Sequence, residues 1–185
     1  MTFICFSANA SFSVSAVLLT VGAITLHRAR NRSEMPFAAI PLIFGCQQLV
    51  EGLLWLALAA QAPQTHALTV SYLLFSNVLW PIYVPVAIWM IEPLAAPRRK
   101  IALPMAAGVA TSVFFLAALV SQPASAAIMG MHIKYVLPHP HHTLAFAFYA
   151  AATCIAPLLS SLGTVRLFGI VLIGSMIASY LVYAT

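Results

Sequence analysis

The stretch PFAAIPLIFGCQQLVEGLLWLALAA, residues 36–60, decides the fold of this chain. It is an apolar run with one charged side chain, Glu51, and two neighbouring amides, Gln47 and Gln48. A helix of about 20 predominantly apolar residues is long enough to cross the hydrocarbon core of a bilayer. The stretch is therefore predicted to be a transmembrane helix, and its acid is the feature that a function has to explain.

The composition of the whole chain agrees with a membrane protein. Of its 185 residues 63% are hydrophobic and only 6% are charged, which is too few charges to cover the surface of a soluble domain. The net charge of +5 does not indicate nucleic acid as a partner, because the basic residues lie in short connections between apolar runs. We predict an all-α transmembrane helical bundle that forms a single domain over residues 1–185, with the lipid bilayer as its surroundings.

Six apolar runs are predicted to cross the membrane. They cover residues 10–26, 36–60, 67–91, 101–121, 143–162 and 165–184. Basic residues cluster in the first and third connections and at the start of the sixth run, while the second connection has none and the fourth has only Lys134. Because positive charge favours the cytoplasmic side, both termini are predicted to lie outside.

The polar side chains of the second run share one helix face. Gln47 and Gln48 precede Glu51 by four and three residues, and Trp55 follows it by four, so that all can lie on one broad face. Charged side chains inside a span usually face the interior of the bundle, because lipid cannot solvate them. Apart from Arg166, which opens the sixth run, no Lys, Arg or His lies inside a predicted span, so Glu51 has no basic partner there and we expect its carboxyl group to be protonated at rest.

Counting depth along the predicted spans brings polar residues of several helices to one level. At about 1.5 Å per residue, Asn77 lies as deep as Glu51, with Ser76 and Trp80 beside it. The same count reaches Thr20, Thr111, Ser112, Thr153, Cys154 and Ser175. This pattern predicts a polar layer in the outer half of the bundle. Either these side chains only join helices by hydrogen bonds, or they bind a proton, an ion or a small ligand, or Glu51 is the acid of a membrane enzyme.

A histidine-rich connection is predicted on the outer side, before the fifth run. Its imidazoles could bind copper or zinc, and the candidate ligands are His132, His139, His141 and His142. Cys5 belongs to the outward N-terminal segment in the same topology. The spacing HPHPHH is not that of a defined metal site, so a solvated loop and a pH sensor remain alternatives. No span core contains a histidine, which disfavours a transmembrane haem.

Two further features concern backbone shape. Pro81 and Pro85 lie one turn apart in the third run, where each removes a hydrogen-bond donor, so a bend or a locally opened segment is expected. Such a bend either sets the shape of the bundle or exposes carbonyl groups to a site. The connection 122–142 is apolar enough around residues 126–131 to lie at the membrane interface or to cap the bundle.

Three motifs resemble those of a family of short bacterial membrane proteins without an assigned function. They are CFSANASF at 5–12, RSEMPFAAIPLIFGCQQLVEGLLW at 32–55 and LWPIYVPVAI at 79–88. The resemblance implies a multi-pass protein of the bacterial inner membrane, and it places the 47–55 stretch in the family pattern. It supplies no chemistry.

Three functional interpretations remain open from the sequence. The first is a protein that binds, and moves, a small ligand, a proton or a metal ion at the polar layer around Glu51. The second is a membrane enzyme acting on a lipid or a quinone; the chain has no aspartate, no HExxH and no serine-nucleophile motif, which argues against most hydrolase mechanisms. The third is an accessory subunit of a larger membrane complex or a homo-oligomer.

Overall fold

The computed structural model describes residues 7–184, and its contacts group them into two compact units. The first unit consists of the described residues up to Asn77 together with Phe115–Pro140. The second consists of Val78–Phe114 and the described residues from His141 onwards. The chain therefore alternates between the two units.

The fold is mostly helical, as predicted. Its helices are α1 (Ala8–Arg28), α2 (Met35–Ala38), α3 (Ile40–Ala59), α4 (Thr65–Leu73), α5 (Trp80–Ile91), α6 (Ala95–Ser121), α7 (His142–Ala150), α8 (Ala156–Leu158) and α9 (Gly163–Ala184). Two π-helical turns, Leu74–Leu79 and Ala151–Ile155, join α4 to α5 and α7 to α8. The segments 65–91 and 142–158 are therefore continuous helical stretches.

Four helical stretches are long and apolar enough to cross a membrane. They are Ala8–Arg28, Met35–Ala59, Thr65–Ile91 and Ala95–Ser121. Two shorter apolar stretches, His142–Leu158 and Gly163–Ser179, overlap the predicted fifth and sixth runs. The fourth of the long helices begins earlier than predicted, because Pro97 is tolerated in a first helical turn and Arg98–Lys100 continue the helix instead of forming a connection.

The prediction of an all-α fold is corrected by a small antiparallel sheet. Strands β1 (Ser125–Met129) and β2 (His132–Val136) form a hairpin in the connection before α7. Gly130 takes a positive φ of 59° at its turn, a conformation that glycine adopts without steric cost. The β-branched and aromatic residues of β2 suit a strand, and in this short segment they outweigh the helical character of the rest of the chain.

In the first unit, α1 and α3 pack closely through small residues. The hydroxyl of Ser15 donates a hydrogen bond of 2.8 Å to the carbonyl oxygen of Gly45 on the facing helix. A side chain at Gly45 would meet Leu19, and one at Gly52 would meet the ring of Phe12. Such close approach of helix backbones through small residues is a common means of helix association in membranes.

In the second unit, the two prolines of α5 follow a π-helical turn, and the first of them, Pro81, lies close to α6. The π turn directly precedes Trp80 and Pro81, so the locally opened segment expected from the sequence is present. Ser112 on α6 donates a 2.6 Å hydrogen bond to the carbonyl oxygen of Val78. Gly108 on α6 lies so close to the carbonyl oxygen of Pro81 that a side chain has no room there.

Candidate functional site

Glu51 lies in the middle of α3 and is partly buried within the first unit. Its carboxyl group lies close to the side chains of Gln48, one turn earlier on α3, and of the buried Ser11 on α1, both of which can donate hydrogen bonds to it. The hydroxyl of Tyr135 on β2 lies against the same carboxyl group. The acid is therefore the point at which a helix pair and the hairpin meet. We call these four side chains the Glu51 cluster.

The hairpin is held in this position by aromatic stacking and by burial of its apolar residues. The ring of Tyr135 stacks on that of Tyr72 in α4, with the ring centroids 4.3 Å apart and the planes 6° from parallel. Ile133 and Leu137, which flank Tyr135 in the sequence, are buried. The connection that the sequence suggested as a cap thus covers the helices of the first unit.

Gln47 and Trp55, the other residues predicted in the second run, lie on the same helix as Glu51. Gln47 is buried, and Trp55 is half-buried one turn beyond Glu51. Both belong to α3, so the helix brings Gln47, Gln48, Glu51 and Trp55 together on one broad face, as their spacing predicts.

The residues predicted opposite Glu51 have different surroundings. Asn77 accepts a hydrogen bond of 3.1 Å from its neighbour Ser76, and both lie in the first π turn. The polar side chains beside the Glu51 carboxyl are those of Gln48, Ser11 and Tyr135. Trp80 belongs to the second unit, where it is buried and contacts Tyr83 edge-on, with centroids 6.2 Å apart.

Most hydroxyl groups of the predicted polar layer bond to their own helices. Thr20 and Ser175 are exposed and donate to the carbonyl oxygens of Ala16 and Leu172. Thr111 and Thr153 are buried but likewise donate within their own helices. In many helices Ser and Thr hydroxyls donate to a backbone carbonyl one turn earlier in the same helix. Equal depth alone therefore did not identify residues that share a site.

Glu92, which lies between the third and fourth predicted spans, forms a second carboxylate site. Its side chain is only 2% exposed. The hydroxyl and the backbone N–H of Ser161 both donate to it, Ser160 donates at 2.7 Å, and the backbone N–H of Leu94 donates at 3.1 Å. Burial alone would raise the pKa of Glu92, but the hydrogen bonds from Ser161, Ser160 and Leu94 outweigh it and hold the pKa below its usual value.

The predicted metal site receives no support from the geometry. Within residues 7–184 no three His, Cys, Asp or Glu side chains are close enough to hold a metal ion together. His132 and His139 belong to the first unit, where His139 contacts the ring of Phe115 edge-on and its Nδ1 lies 2.7 Å from the carbonyl oxygen of Leu137. His141 and His142 belong to the second unit, and His142 opens α7. Cys5 lies outside the described residues.

The fold and the Glu51 cluster define a mostly helical protein with several candidate membrane spans and a partly buried acid. The chain belongs to the family of unknown function DUF6629, whose family model matches residues 4–184. This agrees with the resemblance to a family without an assigned function, and it extends the match over the second half of the chain. No curated protein and no solved structure matches the chain.

Proposed function

We propose that this chain is a six-span protein of the bacterial inner membrane that binds a proton or a small hydrogen-bonding ligand at Glu51. The observation that carries the proposal is the surroundings of the Glu51 carboxyl. It lies in the middle of a helix that is long and apolar enough to cross a membrane, and side chains from α1, α3 and β2 converge on it. Acids at such a depth are costly and frequently mark ion and proton pathways.

The chemistry of the cluster suits reversible protonation. Its other members are the amide of Gln48 and the hydroxyls of Ser11 and Tyr135, all of which are neutral groups. An amide and a hydroxyl can each donate to a carboxylate or accept from a carboxylic acid. The cluster therefore offers hydrogen bonds to both protonation states, and it offers the same groups to a small polar ligand that replaces one of them.

The hairpin supports a binding role over a purely structural one. Ser11 and Gln48 would be enough to join α1 to α3, but Tyr135 comes from a connection outside the predicted spans. A cap that places a hydroxyl group on the acid can control access to it. We also propose that the protein moves this proton or ligand, because a capped acid inside a span can exchange it on one side at a time.

Infrared difference spectroscopy of the reconstituted protein tests protonation directly. The chain has only three side-chain carboxyl groups, Glu34, Glu51 and Glu92. Hydrogen bonds from Arg30 and Asn31 hold the pKa of Glu34 below its usual value, and the pKa of Glu92 is also lowered. Both are therefore carboxylates at neutral pH, so that a carboxylic acid C=O band at neutral pH belongs to Glu51.

The expected result is a carboxylic acid band that Glu51→Gln removes and that Glu34→Gln, the matched control, leaves in place. Tyr135→Phe should shift the frequency of this band, because it removes the hydroxyl that lies against the carboxyl group. A wild-type protein without such a band, or a band that persists in Glu51→Gln, would contradict the proposal.

A further inference from the structure

The second unit contains a long apolar groove with two cations at one end. It has a volume of about 780 Å³ and lies between the first half of α6 and the segment around the second π turn. Arg99 and Lys100 line one end of it, and both are exposed. The remaining walls are apolar, and they include Leu103 and Ala107 on α6 and Ile155 in the π turn.

The groove exists because alanines occupy one face of α6. Ala107 and Ala110 follow Leu103 by four and seven residues, so these positions line one side of the helix. The facing wall carries the larger side chains of Phe148 and Ile155. Small residues opposite large ones leave a furrow along the helix that a flexible apolar chain can fill.

The length of the groove corresponds to one leaflet of a bilayer. From Arg99 to Ala110 the helix rises about 16 Å, which is about half of the 30 Å hydrocarbon core. A second cavity of about 220 Å³ shares Ala110 and Phe148 with the groove and continues it towards Phe114 and His141. An acyl chain can therefore lie along the groove with its head at the cationic end.

The charge at that end is available for an anion. Glu92 is the one acid among the residues of the second unit, and its carboxylate oxygens accept hydrogen bonds from Ser160 and Ser161. Arg98 is directed elsewhere, because its guanidinium lies over the ring of Trp89 at 3.8 Å from the centroid.

We propose that this groove binds an anionic phospholipid, with an acyl chain along α6 and the phosphate at Arg99 and Lys100. In the six-span topology these cations face the cytoplasmic leaflet, whose surface carries negative lipids. The site lies in the second unit and does not depend on the protonation of Glu51.

Native mass spectrometry of the detergent-purified protein with added lipid tests this site. The probes are phosphatidylglycerol and phosphatidylcholine with identical acyl chains, so that only the headgroup charge differs. We expect the wild type to retain phosphatidylglycerol preferentially. In the double variant Arg99→Gln/Lys100→Gln this preference should fall about thirtyfold, equivalent to about 2 kcal/mol for two cations. The matched control Arg30→Gln/Arg32→Gln removes the same charge from the first connection and should keep the preference.

A second variant tests the apolar part of the groove. Ala110→Phe places a large ring at the wall that both cavities share, and the exposed position of Ala110 makes the change compatible with folding. It should weaken the retention of both lipids, whereas Ala102→Phe, at an exposed position of α6 outside the groove, should not. The proposal is overturned if Arg99→Gln/Lys100→Gln keeps the wild-type preference, if both charge variants lose it equally, or if Ala110→Phe retains lipid like Ala102→Phe.

Discussion

The ring of Tyr135 lies flat against the ring of Tyr72, with centroids 4.3 Å apart, while its hydroxyl group lies against Glu51. One side chain thus fixes the hairpin to α4 and completes the surroundings of the acid. Because stacked aromatic pairs contribute about 0.5–1.5 kcal/mol beyond the area that they bury, the pair is a sensitive point at which to loosen the hairpin.

Replacing Tyr72 should release the hairpin without touching the Glu51 carboxyl. In Tyr72→Ala we expect amide hydrogen exchange of strands Ser125–Met129 and His132–Val136 to become several-fold faster, because the stacking partner of Tyr135 is lost. Tyr72→Phe keeps a ring of the same shape and should leave the exchange near that of the wild type. Equal exchange in Tyr72→Ala and the wild type would show that the stacking does not hold the hairpin.

The close contact between α6 and α5 predicts that a substitution at Gly108 lowers the stability of the protein. Gly108→Ala should lower the free energy of unfolding by about 1–3 kcal/mol, because the new methyl group meets the carbonyl oxygen of Pro81. Gly174→Ala on α9 is the matched control, since nothing lies within 4 Å of its new methyl group. That change should be neutral or slightly stabilising, because alanine favours a helix over glycine. Equilibrium unfolding in mixed micelles measures both; equal stabilities would contradict the packing described here.

The buried carboxylate of Glu92 predicts a stability that depends on pH. Its hydrogen bonds to Ser160, Ser161 and Leu94 are made by the charged form, so Glu92→Gln should lower the free energy of unfolding by about 1.5–3 kcal/mol at neutral pH. Because the pKa of Glu92 is lowered in the folded state, this contribution is complete above the unfolded pKa of about 4.3. It is lost as the pH falls through the lower folded value.

The measurement for Glu92 is a comparison of unfolding midpoints of wild type and variant across pH. The two should differ most at neutral pH and converge on acidification below about pH 4. Glu34→Gln provides a comparison with an exposed acid in the first connection, and it should change the free energy of unfolding less than Glu92→Gln does. A constant difference between wild type and Glu92→Gln at all pH values would rule out the charged form as the stabilising one.

The proposed topology predicts which connections a membrane-impermeant thiol reagent reaches from outside the cell. Single cysteines at Pro63 and Met131 should be labelled, because the second and fourth connections are proposed to be external. Cysteines at Ser33 and Ala96 should be protected until the cells are opened. All four positions are exposed within their units, so that lack of labelling cannot result from burial in the chain.

The labelling experiment requires that the three native cysteines, Cys5, Cys46 and Cys154, are first replaced by alanine. Labelling of Ser33→Cys from outside together with protection of Met131→Cys would invert the topology. It would also move Arg99 and Lys100 to the outer leaflet.

The sequence predicts the helices well because hydrophobic length is a strong signal. The first three candidate spans lie within two residues of their predicted ends, and the opened π turn before Pro81 agrees with its missing N–H group. The hairpin was not predicted, because its strands are short and their register depends on contacts with the helices of the first unit.

Of the residues in the Glu51 cluster, the sequence predicted only those that lie on α3. The spacing of Gln48, Glu51 and Trp55 indicated one helix face, but nothing in that spacing pointed to Ser11 or Tyr135, which approach from other elements. A signal for Ser11 was present: Ser7, Ser11 and Ser15 recur every four residues and form a stripe on α1. Glu92 was missed because its partners, Ser160 and Ser161, lie far along the chain, where sequence spacing gives no information.

The alternation of the chain between two units has a consequence for biogenesis. When α1 and α3 leave the ribosome, Ser11 and Gln48 are already available to Glu51, but β2 with Tyr135 is translated only after the end of α6. In the proposed membrane topology the nascent helix pair therefore enters the bilayer before Tyr135 can cover its acid. The first unit reaches its final form only when much of the second has been synthesised, so its maturation is late although its residues come first.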